Sequence, residues 1–343
     1  MRQPFRLAMV GAGKIAASAH LPAALALPNV ELVAIVDPVV TRGQALAREF
    51  GTSARAVTKL DDVLGELDGA IIATPNFTHC EVALRCIEAG VATLIEKPLA
   101  TTVEEGETIA RAARERGVTV AVGYTTRFDE SVRVMARLLK AGDFGEIRRF
   151  AYQSGSKGRW APLTGYTLDR RATGGGVVMV TGTHFLDRML SWFGYPDEIA
   201  YEDDADGGPE ANALARFGYT SRGRFKGRVR FSKTVSLKGG FVMETDEGTV
   251  VLLDDLKQIV FRPRSQPSVE TIVRERHGFG HRKRGHFQLQ LEDFVEATQT
   301  RRPAMVSAEQ GVESLRLIEA LYSCRQPMRT DWYACPPRER QTA

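Results

Sequence analysis

FRLAMVGAGKIA, running from Phe5 to Ala16, is the stretch on which the fold turns. An apolar run of strand length opens into a G-x-G-x-x-A turn and then into the helical pattern IAASAHLPAAL. The missing side chain at Gly11 allows a tight turn. At Gly13 it lets a pyrophosphate approach the backbone amides of a helix N-terminus, and Ala16 lets helix and sheet pack closely. Alone, such a glycine pattern fits an ordinary strand-to-helix turn as well. The next apolar run, ELVAIVD, ends in Asp37, 26 residues after Gly11, where an acid accepts hydrogen bonds from an adenosine ribose. Turn, spacing and acid together predict a dinucleotide site built on Gly11, Gly13, Lys14, Ile15 and Asp37. The charge of Asp37 opposes a 2′-phosphate and points to NAD. Arg42 is close enough to grip a phosphate bidentately, which keeps NADP open. For Asp37 the competing role is a helix cap before Thr41 or a solvated loop carboxylate.

Working outward, short apolar runs alternate with amphipathic segments through the first ~125 residues, as in a parallel sheet covered by crossover helices. Strands are expected at Leu7–Val10, Leu32–Val36, Gly69–Ala73, Ala92–Ile95 and Thr119–Val122, and helices at Thr41–Phe50, His79–Ala89 and Thr102–Arg116. From Ile147 the texture becomes β-rich: ALARFGYTS, GRFKGRVRFSK, GFVMETDEG and TVVLLDD are spaced like adjacent antiparallel strands. Two helical patterns, Phe287–Thr300 and Ala308–Cys324, precede a Pro- and Arg-containing tail expected to be loosely ordered. The reading is an α/β unit over 1–125, a parallel doubly wound sheet, followed by an α+β unit over 126–343. The second unit is expected to carry a large, mostly antiparallel open sheet, with the cleft between the units as the ligand site.

Composition narrows the function. The 343 residues are 43% apolar and 26% charged, within the range of folded globular chains. A net charge of +4 is too small and dispersed for nucleic acid. No apolar run approaches the ~20 residues of a membrane helix, and the apolar start is too short for a secretory signal, so a cytoplasmic protein is expected. Cys80, Cys86, Cys324 and Cys335 show neither metal-ligand nor disulfide-framework spacing and are expected to be free thiols. The one concentrated basic stretch, Arg274–His286, is either a solvated loop or a guide for an anionic substrate. His281 and His286 lack a third ligand at recognisable spacing, so no metal is expected.

The sequence ATLI is followed by Glu96-Lys97-Pro98, which puts a lysine just past the carboxyl end of a parallel strand, where ligands of open α/β sheets sit. Such a lysine could polarise a substrate hydroxyl, and alone it is as readily an exposed cation. The wider set of motifs resembles the Gfo/Idh/MocA oxidoreductases, the glucose-fructose oxidoreductase and inositol dehydrogenase family. It comprises the glycine turn with His20 and Pro22, Asp37, Thr74-Pro75-Asn76 to His79, Glu96-Lys97-Pro98, Arg127-Phe128, Gly174-Gly175-Gly176, Gly182-x-His184-x-x-Asp187, Asp293-Phe294 and Arg302-Pro303.

The resemblance implies a Rossmann domain and reversible hydride transfer between NAD(P) and a secondary alcohol of a sugar, nucleotide sugar or cyclitol. Lys97 would polarise the substrate and His184 exchange the proton. Thr74, Pro75, Asn76, His79 and Glu96 would join the cofactor site, and Tyr124, Arg127, Asp169, Thr183 and Asp187 the substrate site, with a homodimer or homotetramer as the assembly. Several of these have structural alternatives. His184 could be a satisfied interface histidine and His79 a helix cap. Arg127 could tie the two units, and Asp169 could pair with Arg170 or Arg171. Asp187 could orient His184 or pair with Arg188. One position departs from the pattern: many members carry D-x-G-x-H, and here Val180 replaces the acid, so the proton route must differ or one direction be slow. An NAD-dependent glycosidase or lyase using transient oxidation, and a non-catalytic NAD-binding subunit, are the alternative readings.

Overall fold

The computed structural model describes residues 3–157, 168–221, 223–253, 258–273 and 285–329. Its first sheet contains β1 (Phe5–Val10), β2 (Val30–Val36), β3 (Arg55–Val57), β4 (Gly69–Ile72), β5 (Ala92–Ile95) and β6 (Val120–Val122). All pairings are parallel, in the order β3-β2-β1-β4-β5-β6. The crossovers carry α1 (Leu21–Leu25), which continues a π-helical turn at Ala16–His20, then α2 (Val40–Glu49), α3 (His79–Glu88) and α4 (Val103–Arg116). Strands β4 and β5 are buried at every residue, as a sheet covered on both faces requires. The strand order reverses between β1 and β4, and a ligand crevice belongs at the carboxyl ends of strands at such a point. Strand β3 escapes the sequence reading because it is a three-residue edge strand with no apolar run of its own.

Helix α5 (Glu130–Ala141) leads into the second unit, which holds β7 (Ile147–Gly155), α6 (Arg170–Thr173), α7 (Thr183–Phe193), β8 (Glu198–Asp203), β9 (Asn212–Tyr219), β10 (Phe225–Ser232), β11 (Leu237–Thr245), β12 (Gly248–Leu253), β13 (Ile259–Pro263), β14 (Thr271–Val273), α8 (His286–Thr300), α9 (Ala308–Ser323) and β15 (Arg325–Pro327). The nine strands form one mixed, mostly antiparallel sheet in the order β14-β13-β12-β11-β7-β10-β9-β8-β15. The expectation that the four β-rich runs are successive neighbours needs one correction. Strand β7 separates β10 from β11 and pairs parallel with β10 and antiparallel with β11, a long-range insertion that local spacing does not encode.

One face of this sheet packs on α7: Tyr152 stacks on Phe185 with ring centroids 3.7 Å apart, and Phe150 on Phe193 at 4.9 Å. The other face exposes Arg149, Ala151, Arg216, Lys226, Arg228 and Val242. The last two helices turn back onto the first sheet. Phe294 of α8 meets Phe5 edge-on, Gln290 Nε2 donates to Val122 O at 3.2 Å, and Val122 N donates to Val306 O at 3.0 Å. Arg302 pairs with Asp293 at 2.8 Å and closes this segment. The packing therefore bridges the chain's division near residue 125. The tail beyond residue 329, Cys335, and residues 274–284 of the basic stretch lie outside the described residues. His286, which opens α8, places Nδ1 3.5 Å from Asp129 Oδ1.

Candidate active site

The loops after β1, β2, β4, β5 and β6 gather at the carboxyl edge of the first sheet. Gly11 has φ of +100°, and a Cβ there would lie 2.5 Å from Ala73 O, so this turn requires glycine. A Cβ at Gly13 would meet nothing within 4 Å, which leaves open space over the helix start, flanked by the exposed Lys14 and Ile15. Asp37 is buried at the end of β2. Its Oδ2 accepts from Ala12 N and its Oδ1 from Val39 N, both at 2.9 Å, so the carboxylate is pinned to the glycine turn itself. Arg42 is largely exposed, with Nη1 4.0 Å from Asp37 Oδ1. An open amide-lined turn with a fixed carboxylate beside it fits a dinucleotide, with Gly11, Gly13 and Asp37 as the residues that would hold it.

The loop after β4 is turned toward structure. Thr78 Oγ1 donates to Pro75 O at 2.8 Å and accepts from the Thr74 hydroxyl at 2.7 Å. Asn76 Nδ2 donates to Thr173 O at 3.0 Å and so ties this loop to the second unit. His79 is fully buried, with Nδ1 2.9 Å from Pro98 O and Nε2 3.0 Å from Thr74 O. Burial holds this imidazole below the ordinary histidine range, although the two carbonyls act in the opposite direction. His79 is therefore held between the main chains of the loops after β4 and β5, and the Asn76 amide nitrogen is given to the main chain of the second unit.

After β5, His20 Nε2 donates to Glu96 Oε1 at 2.7 Å, and Glu96 Oε2 accepts from Lys97 N at 3.1 Å. Burial raises Glu96, but His20 and Lys97 outweigh it and hold the carboxyl below its usual range. Lys97 Nζ donates to Val180 O at 2.9 Å. That carbonyl lies in a π-helical turn, Val178–Gly182, a form that recurs at functional sites. Burial depresses the Lys97 ammonium, against the opposing charge of Glu96.

His184 lies in the first turn of α7, four residues beyond Val180. Its Nδ1 is buried with no hydrogen-bond partner among the described residues. Burial, and then the charges of Lys97 and Arg188, hold the imidazole well below the ordinary range and therefore neutral. Tyr124, fully buried after β6, meets the His184 ring edge-on at 6.2 Å, and its Oη shares a 2.7 Å hydrogen bond with Thr183 Oγ1. Tyr124 and Thr183 thus brace the start of α7.

Three expected substrate contacts have other partners. Arg127 Nη1 pairs with Asp187 Oδ1 at 3.3 Å and so ties the turn after β6 to α7. Asp187 therefore orients Arg127 rather than His184. Burial pushes its carboxyl up to about 6, against Arg127 and Arg188. Asp169 caps α6, accepting from Arg171 N at 2.8 Å, because an acid in extended backbone before a helical turn meets free amides there. Two parts of the site were missed. His20 was legible only as a motif member, not as the partner of Glu96. The acceptor of Lys97 is a main-chain carbonyl, which leaves no signature in side-chain spacing.

Models of an oxidoreductase family match most of the chain: its NAD-binding Rossmann fold over residues 5–124 and its C-terminal α/β domain over residues 136–333. The chain is similar to the scyllo-inositol 2-dehydrogenase (NADP(+)) IolW of Bacillus subtilis strain 168, at 29% identity over 47% of this chain and 45% of the relative. It is also similar to the D-glucoside 3-dehydrogenase of Escherichia coli strain K12, at 30% identity over 56% of this chain and 55% of the relative. The alignments thus span about half the length of these curated relatives. In fold it resembles the aldose-aldose oxidoreductase of Caulobacter crescentus crystallised with glycerol, with a TM-score of 0.82 at 20% identity over 94% of this chain and 97% of the other. With its glycine turn, its Glu96-Lys97-Pro98 strand end and both family domains matched in order, the chain belongs to the Gfo/Idh/MocA oxidoreductase family.

Proposed function

We propose that this protein is an NAD-dependent dehydrogenase, or a reductase in the reverse direction, for a secondary alcohol of a sugar, nucleotide sugar or cyclitol. The observation that carries the reading is the meeting of two groups from different units. A half-buried lysine at the end of β5 is held by the main chain of the segment that, four residues on, presents a neutral histidine. Relatives named as inositol and glucoside dehydrogenases support the substrate class. The buried, charge-bearing Asp37 supports NAD over its phosphorylated form.

When bound, the nicotinamide supplies the hydride acceptor or donor. The protein's task is to hold the carbinol carbon within about 3 to 3.5 Å of it and to manage one proton. Lys97 Nζ keeps donors beyond the one given to Val180 O, since an ammonium has three. It directs one at the substrate oxygen and stabilises negative charge as that oxygen becomes an alkoxide. His184 Nε2 takes the hydroxyl proton, and a neutral ring is the form able to accept it. Tyr124 and Thr183 hold the ring's helix in place. Glu96, fixed by His20, keeps an anion beside Lys97 and limits the depression of its ammonium.

The test is a panel of inositols, glycosides and nucleotide sugars with NAD, read at the NADH absorbance. Lys97→Met and His184→Ala are expected to lower kcat roughly 10²- to 10⁴-fold while NADH still binds. Variants as active as the parent would refute the assignment.

The assembly proposed is a dimer or tetramer formed through the outer face of the second sheet, where Ala151 and Val242 stand exposed among charged side chains. A monomer by sedimentation at micromolar concentration would refute it. Cys80, Cys86 and Cys324 are free thiols, which supports a reducing compartment, the cytoplasm.

A further inference from the structure

Glu210 is fully buried and belongs to none of the motifs of the cleft, yet the glycine run before the histidine is built around it. Its Oε2 accepts from Gly176 N at 2.8 Å, and its Oε1 accepts from Val178 N at 3.0 Å and from Tyr322 Oη at 2.8 Å. Its main-chain oxygen accepts from Val177 N at 2.8 Å. Three successive amides therefore end on one residue. A Cβ at Gly176 would lie 2.2 Å from Glu210 O, and one at Gly175 would lie 2.1 Å from Tyr322 Oη. These two positions must be glycine because the main chain and carboxyl of Glu210 and the phenol of Tyr322 occupy the space.

A buried carboxyl is costly: burial raises that of Glu210 above its usual range, and the Val178 amide and the Tyr322 hydroxyl act against it. From this anchor the chain winds without a break through Val178–Gly182 into α7. Val180 N donates back to Gly176 O at 2.9 Å. At the far end Thr183 is held by Tyr124. The carbonyl that receives Lys97 Nζ lies between the two clamps.

We propose that Glu210, with Tyr322, is a positioning residue that sets the Gly176–His184 segment, so that Val180 O holds Lys97 and His184 stands beside it. The catalytic consequence rests on the reading of Lys97 and His184 given above; the anchoring does not.

The experiment compares the full-length protein with Glu210→Gln and Tyr322→Phe. Glutamine keeps the shape but turns one acceptor into a donor facing an amide. In Glu210→Gln, amide hydrogen exchange over residues 176–184 is expected to quicken about tenfold or more. Lys97 should be acylated faster by an amine-reactive reagent, and kcat should fall roughly ten- to hundredfold with the NADH Kd unchanged. Tyr322→Phe removes one of the bonds and should move all three readouts the same way by less, and it decides the matter if Glu210→Gln fails to fold. Parental exchange and Lys97 acylation in the folded variants would overturn the anchoring. A loosened segment with unchanged kcat would overturn the positioning role. If the parent turns over no sugar, exchange and acylation still decide whether Glu210 positions Lys97, and only the proposed reaction falls.

Discussion

Replacing Asp37 by asparagine is expected to narrow the protein's choice between NAD and NADP. The buried carboxylate is fixed by two amide bonds of 2.9 Å, so it cannot swing away from a ligand that binds the turn. A unit charge of like sign at about 4 Å costs on the order of 4 kcal/mol at an effective dielectric of 20. Screening in a cleft open to salt leaves roughly half of that. Arg42 is mostly exposed, so its attraction for a phosphate offsets only about 0 to 1 kcal/mol. The carboxylate wins, and the parent should prefer NADH over NADPH by about tenfold or more.

Asparagine removes the charge and keeps one oxygen for an amide. The lost backbone bond, worth about 1 kcal/mol, weakens both dinucleotides alike, while the preference should shrink toward unity. Fluorescence titration of parent and variant with each reduced dinucleotide measures the ratio directly. A parent that binds NADPH as tightly as NADH, or a folded variant with an unchanged ratio, would refute the reasoning.

Arg127→Ala takes the paired guanidinium from the buried Asp187 and is expected to cost on the order of 3 kcal/mol at a pH above the range in which that carboxyl titrates, measured by urea unfolding. Asp187 titrates near pH 6 in the folded parent, and higher once Arg127 is gone. The penalty should therefore shrink as pH falls through that range, and a pH-independent penalty would contradict the pairing. His184 has the opposite sign of linkage. Its folded pKa lies below the unfolded value of about 6.5, so its share of stability is present above that pH and is lost as pH falls below it. His184→Gln should flatten the loss of urea midpoint between about pH 7 and pH 5, where the histidine of the unfolded chain takes up its proton; an unaltered slope would mean the ring is not held neutral.

How far the sequence could be read depends on whether the cause of each feature is local. The glycine turn, the strand ends at Asp37 and Lys97 and the alternation along β10 each follow from a few consecutive residues, because backbone freedom and burial periodicity are properties of short segments. His79 and Asp169 show where local pattern falls short: both sit at loops that ligands favour, yet one is clamped between two carbonyls and the other caps a helical turn. Their partners come from how the loops lie against each other, which composition and spacing leave open.

By itself, then, the sequence determined a dinucleotide-type sheet at the start of the chain, a β-rich unit after it and the identity of the residues that carry charge into the cleft. Only the tertiary structure decided that β7 inserts between β10 and β11, that Arg127 belongs to Asp187, that Lys97 rests on the carbonyl of Val180 and that Glu210 anchors the glycine run. Each of these joins groups tens of residues apart through main-chain atoms or buried charges. Every residue has the same main chain, and a buried charge is tolerated only where the folded chain brings it a partner, so neither leaves a mark in the local order of side chains.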